Sequence, residues 1–213
     1  EYRELWDTVQ SGKEWSGILQ SKTKSGSSYW SSVTISPLYG QNNGITNLLV
    51  MKADITDQIT LQERIQNLTR FKDLLVQISS SFINVPIDMV DTTIDNALKT
   101  IGTYVKADRA YIFEFDWQNQ TATNTSEWCE QGISTEKENL QNIPFDMFPD
   151  FVERHKKGEI VYIPDISFLP DGPAKDGLLA QHIRGLLTVP MMKEGKCIGM
   201  VGFDYVVQQF VYS

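Results

Sequence analysis

Residues 183–206 read IRGLLTVPMMKEGKCIGMVGFDYV, and two apolar runs lie inside them. Leu186 to Met192 and Cys197 to Phe203 are each rich in β-forming residues, and Lys193, Glu194, Gly195 and Lys196 stand between them. A short polar break with a glycine between two such runs predicts an antiparallel hairpin. The reading decides the fold because it makes the end of the chain a pair of neighbouring, largely buried strands. What precedes them must then supply the rest of a sheet and the helices that cover it.

Working back toward the N-terminus, Lys175 to Ile183 has the spacing of a short helix, Ile160 to Pro164 of a strand, and Phe148 to Lys157 of a helix. Arg109 to Trp117 alternates Tyr111, Phe113 and Phe115 against Ile112 and Glu114, as a strand does, and Thr121 to Glu130 reads as its hairpin partner. Before these, Ile87, Val90, Ile94, Leu98, Ile101 and Val105 fall on one helical face, with Pro86 suited to the first turn. The run Arg154, His155, Lys156, Lys157 is expected to decorate the solvated C-terminal end of its helix, where cations suit the dipole.

A second, longer helix is expected from about Leu61, where Thr60 and Glu63 form a capping-box pattern. Its stripe runs through Leu61, Ile65, Leu68, Phe71, Leu75, Ile78 and Phe82. The steps are too irregular for a sustained heptad repeat. Upstream lie strand-like runs at Trp15 to Ser21, Ser28 to Ser36 and Ile45 to Ala53, the last two joined by a loop containing Gly40, Asn42, Asn43 and Gly44. Three strands and a short N-terminal helix are too few for a complete barrel or sandwich.

The order of elements and the segments RAYIFEF, SEWCEQGI, GEIVYIPDI, IRGLLTVPMM and GKCIGMVGFDYV resemble a GAF domain of the subtype found in bacterial and archaeal histidine kinases and diguanylate cyclases. LWDTVQSGKEWSGILQSKTKSGSSYWSSVTISPLYGQNNGITNLLVMKADITDQ resembles the C-terminal half of a PAS domain. The resemblances imply an α+β chain: a truncated PAS antiparallel sheet over residues 1–57, a helical linker over 58–70, and a GAF domain over 71–213 with a central antiparallel sheet flanked by helices. The GAF domain would lack its final helix. In such a fold Trp128, Phe145, Phe148, Asp165 and His182 come from segments expected to line a small ligand pocket. Asp54 and Thr56 fall where the last PAS strand exits. Their side chains can accept hydrogen bonds from the free N–H groups of a starting helix, which makes them the expected signal-relay joint.

The 213 residues, 41% hydrophobic and 22% charged, suit a folded chain throughout. A net charge of -8 argues against nucleic-acid binding, which depends on Lys and Arg displacing counterions. No stretch approaches the length of a membrane helix. Cys129 and Cys197 have no CxxC or metal-ligand spacing with His155 or His182, so no metal site is expected and a reducing cytoplasm is the expected compartment. Catalytic motifs such as GxSxG, the P-loop and HExxH are absent, and no catalytic residue is assigned. Asp146 and Asp150 read as solvated carboxylates.

Cys129, flanked by Glu127 and Glu130, reads as an unreactive thiol and does not match the cysteine context of bilin-binding GAF domains. The cyclic-nucleotide GAF pattern and the flavin and haem signatures of PAS domains are likewise missing, so no cofactor is expected. What the GAF and PAS resemblances imply is a sensory, non-enzymatic module of a signalling protein. Its partners would be an unidentified small-molecule ligand and a second copy of the chain, joined as a homodimer through the helices. The competing expectation is a dimerising spacer that binds no ligand.

Overall fold

The computed structural model describes residues 2–41 and 44–207. It divides into two compact units, Glu1–Asp73 and Leu74–Ser213. The loop residues Asn42 and Asn43 and the expectation about a final helix lie outside the described residues.

In the first unit, α1 (Tyr2–Gln10) is followed by β1 (Trp15–Lys22), β2 (Ser28–Tyr39) and β3 (Ile45–Asp54), which form an antiparallel sheet in the order β1-β2-β3. Leu5 and Val9 of α1 are buried against Val33 and Ile35 of β2, with Trp15 and Leu19 packed around them. Period-two alternation puts Val33 and Ile35 on one face, and their partners Lys52 and Val50 in β3 share it. Every residue of β3 is exposed.

Helix α2 (Thr56–Ser81) begins earlier than the sequence pattern at Thr60 and Glu63 suggests. Thr60 lies inside the helix, where its hydroxyl donates to the Thr56 carbonyl at 2.9 Å. The start is fixed instead by Asp54, whose Oδ1 accepts from the Thr56 backbone N–H at 2.9 Å and from its hydroxyl at 2.6 Å. This satisfies a donor that a helix start leaves unpaired. The division between the two units falls within α2.

The second unit continues through α3 (Val90–Val105), β4 (Arg109–Asp116), β5 (Thr121–Cys129), β6 (Ile143–Pro144), α4 (Pro149–Lys156), β7 (Val161–Ile163), α5 (Pro173–Ala180), β8 (Gly185–Lys193) and β9 (Lys196–Tyr205). Its six-stranded sheet has the order β6-β5-β4-β9-β8-β7, and every neighbouring pair is antiparallel. The architecture is α+β, as the sequence implies. Glu194 and Gly195 turn the β8–β9 hairpin with φ of 52° and 76°, the positive values a two-residue turn of matching twist requires. Helix α5 starts at Pro173, two residues before the expected Lys175. It stops at Ala180, and His182 then takes a left-handed φ of 59°.

The two faces of this sheet are covered differently. On one, α3 packs Leu98 against Ala110, Phe203 and Tyr205. A Cβ on Gly102 of α3 would come within 2.5 Å of the Trp128 ring. Helix and sheet meet closely enough there to explain a glycine that costs a helix interior about 1 kcal/mol. On the other face, Val161, Ile166, Leu178, Ile183 and Leu186 form a separate cluster with Phe148 and Phe151.

Candidate functional site

Between this second face and the segments carrying α4 and α5 lies a cavity of about 80 Å³. Six aromatic side chains stand in its apolar wall: Tyr111, Phe113 and Phe115 from β4, Phe145 and Phe148 from the segment leading into α4, and Phe151 from α4 itself. Alternation along β4 aims all three of its aromatics to this side and leaves Ala110 to α3. Phe115 meets Phe145 edge-on at a centroid distance of 5.4 Å, and Tyr111 meets Phe113 likewise at 5.5 Å. One water needs roughly 10–15 Å³ of such space, so the cavity is on the scale of a single-ring molecule.

Polar groups gather at one end. Tyr111 donates its hydroxyl to Asp204 Oδ1 at 2.8 Å, and both side chains are buried. Tyr111 can reach because its strand partner is Gly202: a Cβ there would lie 2.1 Å from the tyrosine ring. Arg109, 1% exposed, donates from Nε to the Ser134 carbonyl at 3.0 Å and from Nη2 to the Gln181 carbonyl at 3.2 Å. It thereby ties β4 to the loop after β5 and to the end of α5. Its Nη1 lies 3.6 Å from Asp204 Oδ2.

Burial pushes the Asp204 carboxyl up to about 7, with Glu127 adding to the effect, although the Tyr111 hydroxyl and Arg109 act against it. Burial, reinforced by Asp204, also holds the Tyr111 hydroxyl well above its ordinary range. Glu127, also in the wall, accepts from the backbone N–H groups of Glu136 and Lys137, the Thr135 hydroxyl and the Asn124 amide. Its carboxylate organises the loop that closes this end.

His155 corrects the expectation of a uniformly solvated basic run: Arg154, Lys156 and Lys157 are exposed, but His155 is fully buried. Its Nδ1 lies 2.6 Å from the Phe151 carbonyl, which can only accept, so Nδ1 carries the proton. Burial lowers its pKa and keeps the ring neutral, leaving Nε2 to accept from the Thr188 hydroxyl at 2.9 Å. The run's helix places His155 one turn beyond Phe151, on the face turned to β8.

Of the five residues expected to line a pocket, the structure brings Phe145 and Phe148 into the cavity wall. Trp128 is elsewhere, because it is one residue from Glu127 in β5 and alternation turns it to α3. Asp165 is at the mouth of a short 3-10 turn, accepting from the Ser167 N–H at 2.8 Å. The Ser167 hydroxyl, and after it that bond, hold its carboxyl below the usual range. His182 is exposed after α5, and the residue beside it, Gln181, lines the cavity instead. Sequence reasoning missed Tyr111, Asp204, Glu127 and His155 as wall residues. The strand alternation of β4 and β9 carried the signal for the first two.

The Asp54–Thr56 pair lies in the first unit. Besides the bonds that start α2, the Trp30 N–H donates to Thr56 Oγ1 at 2.9 Å and the Ile55 N–H to the Trp30 carbonyl at 2.9 Å. The Thr56 bonds hold the Asp54 carboxyl below its ordinary value. The helix start is thus stitched to the middle strand of the sheet. Burial pushes the Cys129 thiol up to about 12, which leaves it a poor nucleophile. Among the described residues no cluster of His, Cys, Asp and Glu is placed to hold a metal ion, and no helix is long and apolar enough to cross a membrane.

The chain is similar to the methanogenesis regulatory histidine kinase FilI of Methanothrix harundinacea, 29% identical over 212 residues and covering 92% of this chain. The chain spans 22% of that kinase's length. Among solved structures, the chromophore-binding domain of Stigmatella aurantiaca bacteriophytochrome superposes with a TM-score of 0.55 at 13% identity, over 90% of this chain and 66% of that one. The GAF domain of Thermosynechococcus elongatus PixJ, in its blue-light absorbing form, gives 0.50 at 20% identity, over 61% and 78%. At these identities the likeness concerns the fold. The family model of the GAF domain matches residues 90–211, more than half of the chain. The chain belongs to the GAF domain family.

Proposed function

We propose that this chain is a sensory module of a cytoplasmic signal-transduction protein, in which a small molecule occupies the GAF cavity and the change is relayed through helices to an effector domain. The observation that carries the proposal is the aromatic cavity itself, walled by side chains from the sheet and from the segments around α4 and α5. Concave, mostly apolar sites with a few convergent polar groups are where small ligands bind. Similarity to a regulatory histidine kinase supports a kinase-type parent.

In this reading residues 1–57 are the C-terminal part of a PAS domain, 58–70 a helical linker and 71–213 the GAF domain. The three-stranded sheet with α1, and the helix that follows, support that division. Asp54 and Thr56 form the joint, since their bonds to each other and to Trp30 couple the helix start to the sheet. The test is native mass spectrometry of the purified chain against a metabolite library. A retained one-to-one small molecule supports the sensor, and a bare chain under every condition refutes it.

A second reading is favoured by one observation. Ile65, Leu68, Phe71 and Leu75 of α2 are 46–60% exposed, an apolar stripe that a second copy of the chain could cover. As a spacer, the chain would dimerise along α2 without binding a ligand. Sedimentation of wild type and Leu68→Asp separates the cases: a dimer that the substitution dissociates supports the seam, and an unchanged mass removes it.

A further inference from the structure

The polar end of the cavity has more carboxylates than cations. Asp204 and Glu127 line it, and Glu136 Oε1 stands 3.9 Å from the Nη2 of Arg109. Arg109 is the single guanidinium among these three carboxylates, and it also lies against Asp204. Among the described residues, no lysine or arginine lines the cavity wall. His155, the remaining basic group in the wall, is neutral and has both ring nitrogens bonded. Asp204 is buried and Glu127 and Glu136 are partly so, and charge withdrawn from water is ordinarily paired, because an unpaired charge loses its hydration without return. The wall also carries six aromatic rings among aliphatic side chains, and the faces of such rings carry partial negative charge and attract cations.

We infer that the occupant of the cavity is a small organic cation, a primary amine or amidine on a single-ring or similarly compact apolar body, with its charged end at Asp204 and Glu127. This rests on the reading that the cavity is a ligand site. The cation supplies the charge the cluster lacks, and the apolar body fills the space between Phe113, Phe145 and Phe148. An anionic ligand is disfavoured on the same grounds. Arg109 Nη1 is buried without a hydrogen-bond acceptor, but the guanidinium is not part of the wall and Asp204 lies at 3.6 Å from it.

Three single-ring probes test the inference: the isosteres benzylamine and benzyl alcohol, and the anion benzoate, titrated calorimetrically into the 213-residue protein at pH 8. Benzylamine is expected to bind about tenfold more tightly than benzyl alcohol, with benzoate weakest. In Asp204→Asn that advantage disappears while benzyl alcohol binds as before, and Glu127→Gln serves as the second variant if Asp204→Asn does not fold. Benzyl alcohol or benzoate binding as well as benzylamine would overturn the charge inference and leave the cavity a ligand site. Failure of all three at millimolar concentration would overturn the inference and count against the cavity reading as well.

Discussion

Asp204→Asn gives the sharpest test of the buried network. The native carboxyl titrates near 7 against 3.8 for an ordinary aspartate, chiefly because burial penalises its charge. At about 1.4 kcal/mol per unit, keeping Asp204 ionised in the native state costs on the order of 4 kcal/mol well above pH 7. A carboxyl raised in this way regains stability as pH falls through its folded value toward its unfolded one. Between pH 8 and pH 5 this single group should return about 2–3 kcal/mol.

Asparagine cannot titrate, so the stability of wild type relative to Asp204→Asn should rise by about that amount over the same interval. His155 acts in the opposite direction, since a lowered histidine loses stability on acidification, but it is common to both proteins and cancels. The assay is urea unfolding at four pH values, read from Trp117 and Trp128 with Trp6, Trp15 and Trp30 replaced by phenylalanine. Reporting on the second unit alone avoids mixing two transitions. Parallel stability curves, or a wild type that weakens relative to the variant as pH falls, would refute the assignment of Asp204 as a buried, reluctant anion.

Thr188→Val keeps the shape of β8 but removes the hydroxyl that His155 Nε2 accepts from, and should cost about 1–3 kcal/mol in the unfolding of the second unit. A loss within error of zero would mean that the imidazole finds another partner. Gly202→Ala places a methyl against the Tyr111 ring and should displace the tyrosine from Asp204, seen as a shift of the Tyr111 ring resonances with destabilisation of about 1–3 kcal/mol. Asp54→Ala removes the acceptor for the Thr56 N–H, so exchange of that amide should quicken about tenfold or more, with amides of the second unit unaffected. Equal acceleration in both units would show that Asp54 acts on global stability instead.

The course of the chain was legible where periodicity was strong. Tyr111, Phe113 and Phe115 alternate across a strand, and Leu98 and Ile101 mark a helical face, so β4 and α3 follow from their patterns. The start of α2 was harder to place, because Thr60 and Glu63 imitate a cap that Asp54 provides seven residues before Leu61, where the helical pattern becomes clear. β6 is two residues long and has no period to detect.

The site was legible only in part, for a geometric reason. Glu127 and Trp128 are adjacent in sequence and face opposite sides of the sheet, so choosing the aromatic residue selected the helix-facing one. His155 sits in a run of cations whose other members are solvated, and composition alone could not single out the one that α4 turns inward. The Arg109–Asp204 pair joins residues 95 positions apart, and only the β4–β9 pairing brings them together.

The central claim, that the GAF cavity receives a small molecule, is tested most directly by methyl-resolved NMR of the whole chain titrated separately with benzylamine and with benzyl alcohol. The account predicts saturable shifts at the cavity-wall methyls of Ile143, Leu178, Leu186 and Met200, with Leu5, Val9 and Val33 of the first unit unmoved. Shifts confined to the exposed methyls of α2, or no saturable change at the cavity wall, would contradict it.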